Sequence, residues 1–176
     1  TGGFLDVNAV VRSLGIVPGQ KIADLGCGSG YFAIAVAQMV GPSGTVIAVD
    51  VMEEPLQSVQ ARAESVGVSN MITIRADLEV PGGTKIPDAS QDWVILKNVL
   101  FQSRKRDAIL AEAVRITAAG GRLLVIDWAR GAGGMGPPDD LRPTEIEIRQ
   151  MAQTVGLHAE RTVTTDAYHF GVVFKK

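Results

Sequence analysis

Lys21-Ile22-Ala23-Asp24-Leu25-Gly26-Cys27-Gly28-Ser29-Gly30-Tyr31-Phe32 runs from an apolar strand through three glycines spaced two apart and into a helical stretch. Glycine has no Cβ, so it adopts positive φ and lets a ligand press against bare backbone at a strand-to-helix turn. In an open parallel sheet such a turn lies outside the carboxyl ends of the strands, where ligands bind at the point of strand-order reversal. The spacing is G-x-G-x-G. The dinucleotide fingerprint G-x-G-x-x-G would need its third glycine at position 31, which is Tyr31. This departure counts against a nicotinamide dinucleotide and leaves a nucleoside-like ligand. Tight-turn glycines alone are a poorer explanation, because a turn rarely needs three.

Outward from this turn, Val/Ile/Leu-rich runs alternate with helical periodicity: strands 21–25, 45–50, 72–77, 92–97 and 121–127, and helices 31–40, 53–66, 104–118 and 144–155. Glycine and proline clusters punctuate them at 41–44, 81–83 and 119–121, and Gly131 to Pro138 reads as a mobile loop. Such alternation predicts an α/β fold with a parallel sheet covered on both faces. Two strand-like runs at the end, Leu157 to Thr164 and Tyr168 to Phe174, have too short a link for anything but an antiparallel hairpin. At the start, Val7, Val10, Val11 and Leu14 share one helical face, with Asp6 to cap and Gly15 to stop. This N-terminal helix, within residues 1–16, is expected on the surface over the cofactor face.

The 176 residues, 46% of them hydrophobic, suffice for one domain spanning 1–176 with a real core. Seventeen basic and nineteen acidic residues leave a formal charge of -2, which offers no global attraction to nucleic acid or anionic lipid. The lone Cys27 excludes an internal disulfide, and no run of about 18 apolar residues suggests a membrane span. A reducing cytoplasm is the expected location. The chain begins at Thr1 without methionine, so a processed N-terminus is kept open.

Asp50 closes the second strand, where a carboxylate can accept hydrogen bonds from both hydroxyls of a ribose. Asp77 closes the third. Capping the following turn is the alternative for both aspartates. Taken in order, Asp24-Leu25-Gly26-Cys27-Gly28-Ser29-Gly30, Val46 to Asp50, Ile72 to Leu78, Asp92 to Leu100 and Ala119 to Leu123 resemble the five motifs of class I S-adenosylmethionine-dependent methyltransferases. The resemblance covers nearly the whole chain. It implies a Rossmann-like, doubly wound, seven-stranded and mostly parallel sheet, with the last antiparallel strand inserted between two others. It also implies that S-adenosyl-L-methionine is the cofactor and S-adenosyl-L-homocysteine the product. Asp24, Gly26, Cys27, Gly28 and Gly30 would hold the methionine end. Asp50 would take the ribose, with Val51 and Met52 against the adenine. Asp77 and Leu78 would meet the adenine amino edge, and Lys97 and Asn98 would face both donor and acceptor.

The acceptor leaves fewer marks. Families that methylate exocyclic adenine or glutamine nitrogen resemble one another in an N/D-P-P-Y/F tetrapeptide, but here Asn98-Val99-Leu100-Phe101 occupies those positions. Thiolate attack on cytosine and arsenite capture need more cysteines than Cys27, which reads as a packing residue. No metal is expected, because Lys97 stands where catechol-type enzymes carry acidic ligands. Ser103 reads as an N-cap followed by Arg104, Lys105 and Arg106 in a first helical turn that prefers acids. Arg104 is therefore a candidate contact for an anionic acceptor, with a solvated charged turn as the alternative. The hairpin should bring Tyr168 and His169 to the active edge, where His169 can serve as a general base or as a hydrogen-bonded structural residue.

Asp127 and Trp128 end the fifth strand on the active face, where Trp128 can wall an apolar or planar acceptor or equally pack under the loop. Trp93 and His158 are expected at the far edge in structural roles. Gly136-Pro137-Pro138, Arg142 and Tyr168 to Lys175 look similar to the ubiquinone/menaquinone C-methyltransferase group. The chain is expected to be a methyltransferase for a small-molecule acceptor or, second, a protein side chain. The alternatives are a non-catalytic cofactor-binding module and an NAD-dependent oxidoreductase.

Overall fold

The Val/Ile/Leu runs form one seven-stranded sheet in the order β3-β2-β1-β4-β5-β7-β6. The computed structural model describes residues 5–176. The first four residues of the expected 1–16 helical segment lie outside them. The strands are β1 (Lys21–Leu25), β2 (Thr45–Asp50), β3 (Met71–Arg75), β4 (Gln91–Lys97), β5 (Thr117–Trp128), β6 (His158–Thr162) and β7 (His169–Lys175). The helices are α1 (Val7–Ser13), α2 (Tyr31–Val40), α3 (Glu53–Ser65), α4 (Arg106–Ile116) and α5 (Glu145–Thr154). Strands β1 to β5 pair in parallel, and β7 runs antiparallel between β5 and β6. The expected α/β, doubly wound, Rossmann-like architecture with its inserted hairpin is the one observed. No helix among the described residues is long and apolar enough to cross a membrane.

Because successive strand residues face opposite ways, the sheet divides the core into two layers. Ile22, Trp93 and Ile95 pack with Val10, Phe32, Val36 and Val59 of α1, α2 and α3. Ala23, Val94 and Leu96 pack on the other face with Ile109, Leu110 and Ile148 of α4 and α5. Trp93 is thus core, as expected, and His158 is exposed at the far end of β6. Asp6 caps α1 by accepting from Ala9 N, and α5 opens with the reciprocal Thr144–Glu147 capping box.

Most boundaries shift by a residue or more from the sequence reading, and three of the shifts have a local physical cause. Ala76 still donates to Asp50 O, but β3 stops at Arg75 because the Asp77 carboxylate turns back to accept from Glu79 N. Ser103 is not the cap of α4. A 3-10 turn, Leu100–Gln102, intervenes, and Ser103 Oγ instead donates to Glu79 Oε1 at 2.6 Å while accepting from Lys105 N. The helix starts at Arg106, so only one of the three cations stands in its first turn. Finally, the glycines at 120 and 121 lie inside β5, where a register shift between Gln91 and Trp93 absorbs the extra residues.

The loop from 79 to 90 is tied to α4 by Glu112, only 2% exposed. Its carboxylate accepts from Gly82 N, Thr84 N, Thr84 Oγ1 and the Arg115 guanidinium. Burial alone would raise its pKa, but Arg115, Thr84 and the two backbone amides together pull it down from 4.5 to about 2. The depressed carboxylate contributes stability fully above pH 4.5, and this contribution is lost as pH falls through about 2. Glu112→Gln should lower unfolding stability at pH 7 by about 3 kcal/mol, because a buried partner of a charge is removed. It should also flatten the acid limb between pH 4.5 and 2 in urea denaturation series. An acid limb as steep as wild type would contradict this account.

Candidate functional site

At the carboxyl ends of β1, β2 and β4 lies a cavity of about 1000 Å³. The glycine turn forms one wall, suspended from β2 because Val49 O accepts from both Gly26 N and Cys27 N at 2.8 and 2.9 Å. All three glycines have positive φ, at 73°, 51° and 80°. Their reasons differ. A Cβ on Gly26 would come within 2.5 Å of Val99 Cγ2, and one on Gly30 within 2.5 Å of Val59 Cγ2, whereas one on Gly28 meets nothing within 4 Å. Two glycines therefore serve packing, and Gly28 keeps open the space that a ligand would fill.

Asp50 reaches across to the same turn. Its Oδ2 accepts from Gly28 N at 3.1 Å and its Oδ1 from Met52 N at 3.0 Å, so it already fixes both loops of this wall. Val51 lines the cavity beside it, while Met52 is exposed and outside the lining. Asp77 and Leu78 line the opposite side, with Leu78 buried. Cys27 lines the cavity as well, and burial pushes its thiol pKa up, reinforced by Asp24 and Asp50. It is a poor nucleophile there. Leu5 and Val7, from the start of α1, also face the cavity.

Asp24 lies beneath the turn, 2% exposed, and its Oδ2 has no hydrogen-bond partner among the described residues. Burial raises its pKa from 3.8 to about 7, opposed by the Ala33 backbone amide and the Lys97 charge and reinforced by Asp50. An unpaired buried carboxylate is costly to keep charged. A cation in the cavity would relieve it.

The other wall carries His169. Registering β7 against β5 places His169 opposite Trp128, and the two rings lie 4.2 Å apart at 34°. His169 Nδ1 is 2.8 Å from Asp166 Oδ1, and Nε2 is 3.2 Å from Asn98 Nδ2. A carboxylate at one nitrogen and an amide donor at the other favour the neutral tautomer with the proton on Nδ1. Burial lowers the His169 pKa below 6.5, Lys97 and Arg142 lower it further, and Asp166 opposes them. Asn98 sits at φ 57°, a left-handed conformation that asparagine tolerates, and its Oδ1 is buried and unpaired. Lys97 lines the same space, and burial lowers its pKa against the opposing charges of Asp24, Asp166 and Asp127.

Asp127 stays out of the cavity lining. It accepts from Phe101 N and Trp128 N, and burial raises it to about 6. Tyr168 is also outside the lining, and so is Arg104, which is exposed with no ion pair to a described residue. Lys105 pairs with Glu79 at 3.2 Å, and Arg106 is bonded to Leu100 O and Leu141 O. Two of the three cations, Lys105 and Arg106, are thus engaged locally. Asp166 had no place among the site residues expected from sequence. Its i,i+3 spacing to His169 across the hairpin turn was the available signal.

The loop after β5 closes the Trp128 side. Arg142, 3% exposed, donates to Pro137 O, Ala129 O and Met135 O, with its guanidinium 5.7 Å from the Trp128 ring. A Cβ at Gly136 would strike that ring at 2.6 Å. The glycine-rich segment thus folds directly onto Trp128.

Residues 16–156 match the family model described as a methyltransferase domain. The ubiquinone/menaquinone biosynthesis C-methyltransferase UbiE of Pasteurella multocida is 32% identical over 117 residues, covering 66% of this chain and 42% of that protein. The arsenite methyltransferase of Aquipseudomonas alcaligenes is 33% identical over 116 residues, covering 64% of this chain and 34% of that protein. The chain therefore spans well under half the length of either relative. A crystal structure of a SAM dependent methyltransferase from Aquifex aeolicus superposes with a TM-score of 0.87 at 25% identity, covering 98% of this chain and 90% of that one.

The Asp24 carboxyl yields a prediction independent of any ligand. Its folded pKa is raised, so between pH 3.8 and about 7 the folded state binds more protons than the unfolded state, and stability falls as pH rises. Asp24→Asn should remove this loss and stabilise the protein at pH 8 by on the order of 2–4 kcal/mol. Urea unfolding at pH 5 and pH 8 measures it. Destabilisation at pH 8 would refute the assigned cost.

Proposed function

The chain belongs to the methyltransferase-domain family of class I, S-adenosylmethionine-dependent enzymes, and on that premise we propose that it transfers a methyl group from S-adenosyl-L-methionine to a small-molecule acceptor. The observation that carries this reading is the pairing of the unpartnered Asp24 Oδ2 with bare backbone at Gly28 in one cavity. These features fit a cofactor with a cationic amino acid end and a nucleoside. Asp24 and the Gly26–Gly30 backbone would hold the methionine portion, Asp50 the ribose, Val51 the adenine face, and Asp77 with Leu78 its edge. When bound, the cofactor supplies a methyl group activated on a sulfonium that leaves as a neutral thioether, S-adenosyl-L-homocysteine.

The protein's share is then mainly alignment. Well-oriented intramolecular reactions reach effective molarities of about 10⁵–10⁸ M, so orientation alone supplies much of the acceleration. Trp128 offers a flat apolar wall, and the Trp128–His169 pair bounds the space left for an acceptor. A cavity of about 1000 Å³ suits a small molecule better than a folded protein surface. A single buried Cys27 with a raised thiol pKa argues against arsenite, and a net charge of -2 argues against nucleic acid. The resemblance to C-methyltransferases of quinone biosynthesis supports a planar acceptor. With one reduced cysteine, the cytoplasm is the location we assign.

Three measurements test this reading. S-adenosyl-L-homocysteine should raise the Tm, by the equivalent of about 2.7 kcal/mol at 100 times Kd, while NAD should not. Asp50→Ala should weaken S-adenosyl-L-homocysteine binding by roughly 1.5–3 kcal/mol in calorimetry. Gly28→Val, which puts a side chain into the open space, should abolish it. Labelled methyl should also pass from the cofactor to a component of a metabolite extract. Tight cofactor binding without any labelled product would favour a non-catalytic module instead.

A further inference from the structure

Three groups on the acceptor wall remain unexplained by cofactor binding. His169 is held by Asp166 at Nδ1, so its Nε2 is the unprotonated nitrogen; Nε2 lies 3.2 Å from Asn98 Nδ2, and both residues line the cavity. Asp166 is itself fixed, because Oδ1 also accepts from Tyr168 N at 2.8 Å. Lys97 lines the same cavity and makes no ion pair or hydrogen bond with any described residue, although Asp24, Asp127 and Asp166 all act on its charge. A half-buried ammonium without a partner is expensive unless an anion completes it.

We propose that His169 and Lys97 together ionise an acceptor hydroxyl, with Nε2 of His169 taking its proton and the Lys97 ammonium holding the resulting oxyanion. Asp166 is a positioning residue. It fixes the imidazole on the Nδ1–H tautomer and stabilises the imidazolium that forms. This rests on the methyl-transfer reading and assigns its acceptor class: a molecule whose O–H must be lost before it becomes a nucleophile. The balance is simple. The acceptor O–H bond breaks, its proton moves to His169 Nε2, and the electron pair left on oxygen, or delocalised from it to carbon, forms the new bond to methyl. The S–CH₃ bond breaks with its electrons retained on sulfur, and the imidazolium returns its proton to solvent.

Asn98 completes the arrangement. Its amide donates to Nε2 in the absence of an acceptor, keeping that nitrogen unprotonated, and its unpaired Oδ1 offers a second polar contact to whatever enters. An acceptor hydroxyl replaces one hydrogen-bond donor to Nε2 with another. The charged and titratable groups around His169 are Asp166 from the hairpin turn, Lys97 from β4 and Arg142 from the segment before α5. Lys97 and Arg142 oppose the imidazolium, and Asp166 favours it.

The experiment uses 4-nitrophenol as probe on the protein saturated with S-adenosyl-L-homocysteine, with phenolate read from its visible absorbance across a pH series. In wild type the bound probe should ionise at a pH at least about one unit below that of the free probe, a tenfold shift in its ionisation constant. Lys97→Met should abolish the shift. In parallel, the His169 ring is titrated by NMR. Asp166→Asn keeps the oxygen acceptor but removes the charge, so the His169 pKa should fall, and Lys97→Met should raise it. Circular dichroism shows whether each variant folds. A bound probe with unshifted ionisation, a probe that does not bind, or a His169 titration indifferent to both substitutions overturns the proposal. Failure of S-adenosyl-L-homocysteine itself to bind overturns the methyl-transfer reading instead, which separates the two.

Discussion

The site depends on one backbone acceptor. Val49 O takes hydrogen bonds from both Gly26 N and Cys27 N, tying the end of β2 to the turn that leaves β1. Two donors on one carbonyl require consecutive amides to point the same way, and the positive φ of Gly26 makes that possible. Asp50, the next residue, then lies within reach of Gly28 N and closes the turn from its other side. The turn is therefore held by main-chain bonds to Val49 O together with the Asp50 carboxylate. The close contacts of Gly26 with Val99 and of Gly30 with Val59 carry the same restraint to β4 and α3. A substitution at Gly26 or Gly30 would meet Val99 or Val59, whereas one at Gly28 would enter open space but strain a backbone at φ 51°.

Legibility in the sequence follows this difference between backbone and side-chain determinants. The β1 turn, the parallel sheet and the terminal hairpin were all readable, because glycine spacing, continuous apolar runs and link lengths report main-chain requirements directly. Aspartates 24, 50 and 77 were readable by position, and each does border the cavity. The start of α4 was not. Ser103 has the composition of a cap, but Glu79, 24 residues earlier in the chain, takes its hydroxyl, and local pattern cannot see that competitor. The cationic first turn of α4 was misread for the same reason. The expected cationic first turn dissolves once Lys105 finds Glu79 and Arg106 finds two carbonyls. His169 was half readable: the hairpin brought it to the right edge, but its neighbours Asn98 and Trp128 arrive through pairing across 71 and 41 residues of chain.

Ionisable groups crowd one cavity: Asp24, Asp50, Asp77, Asp166, Lys97 and His169 all line it. Asp24 raised to about 7 and His169 depressed below its ordinary value are both chiefly consequences of burial. A fold optimised for stability alone would replace such groups with apolar ones. Perturbed ionisable groups gathered in one cavity are the physical mark of a candidate functional site.

The second wall has its own support, and it is independent of the first. Arg142 is buried by three carbonyls from the segment it closes, so its guanidinium acts as the centre of a small loop rather than as a surface charge. That loop presses Gly136 onto Trp128, and Trp128 in turn lies on the imidazole of His169. The ring therefore has its plane set by stacking and its nitrogens set by Asp166 and Asn98, which leaves it little rotational freedom. The glycine-turn wall is held by the β1–β2 backbone, and the Trp128–His169 wall by this stack at the β5–β7 edge. Changes that reshape the glycine-rich loop can thus alter the Trp128–His169 wall without disturbing the Asp50–Gly28 contact.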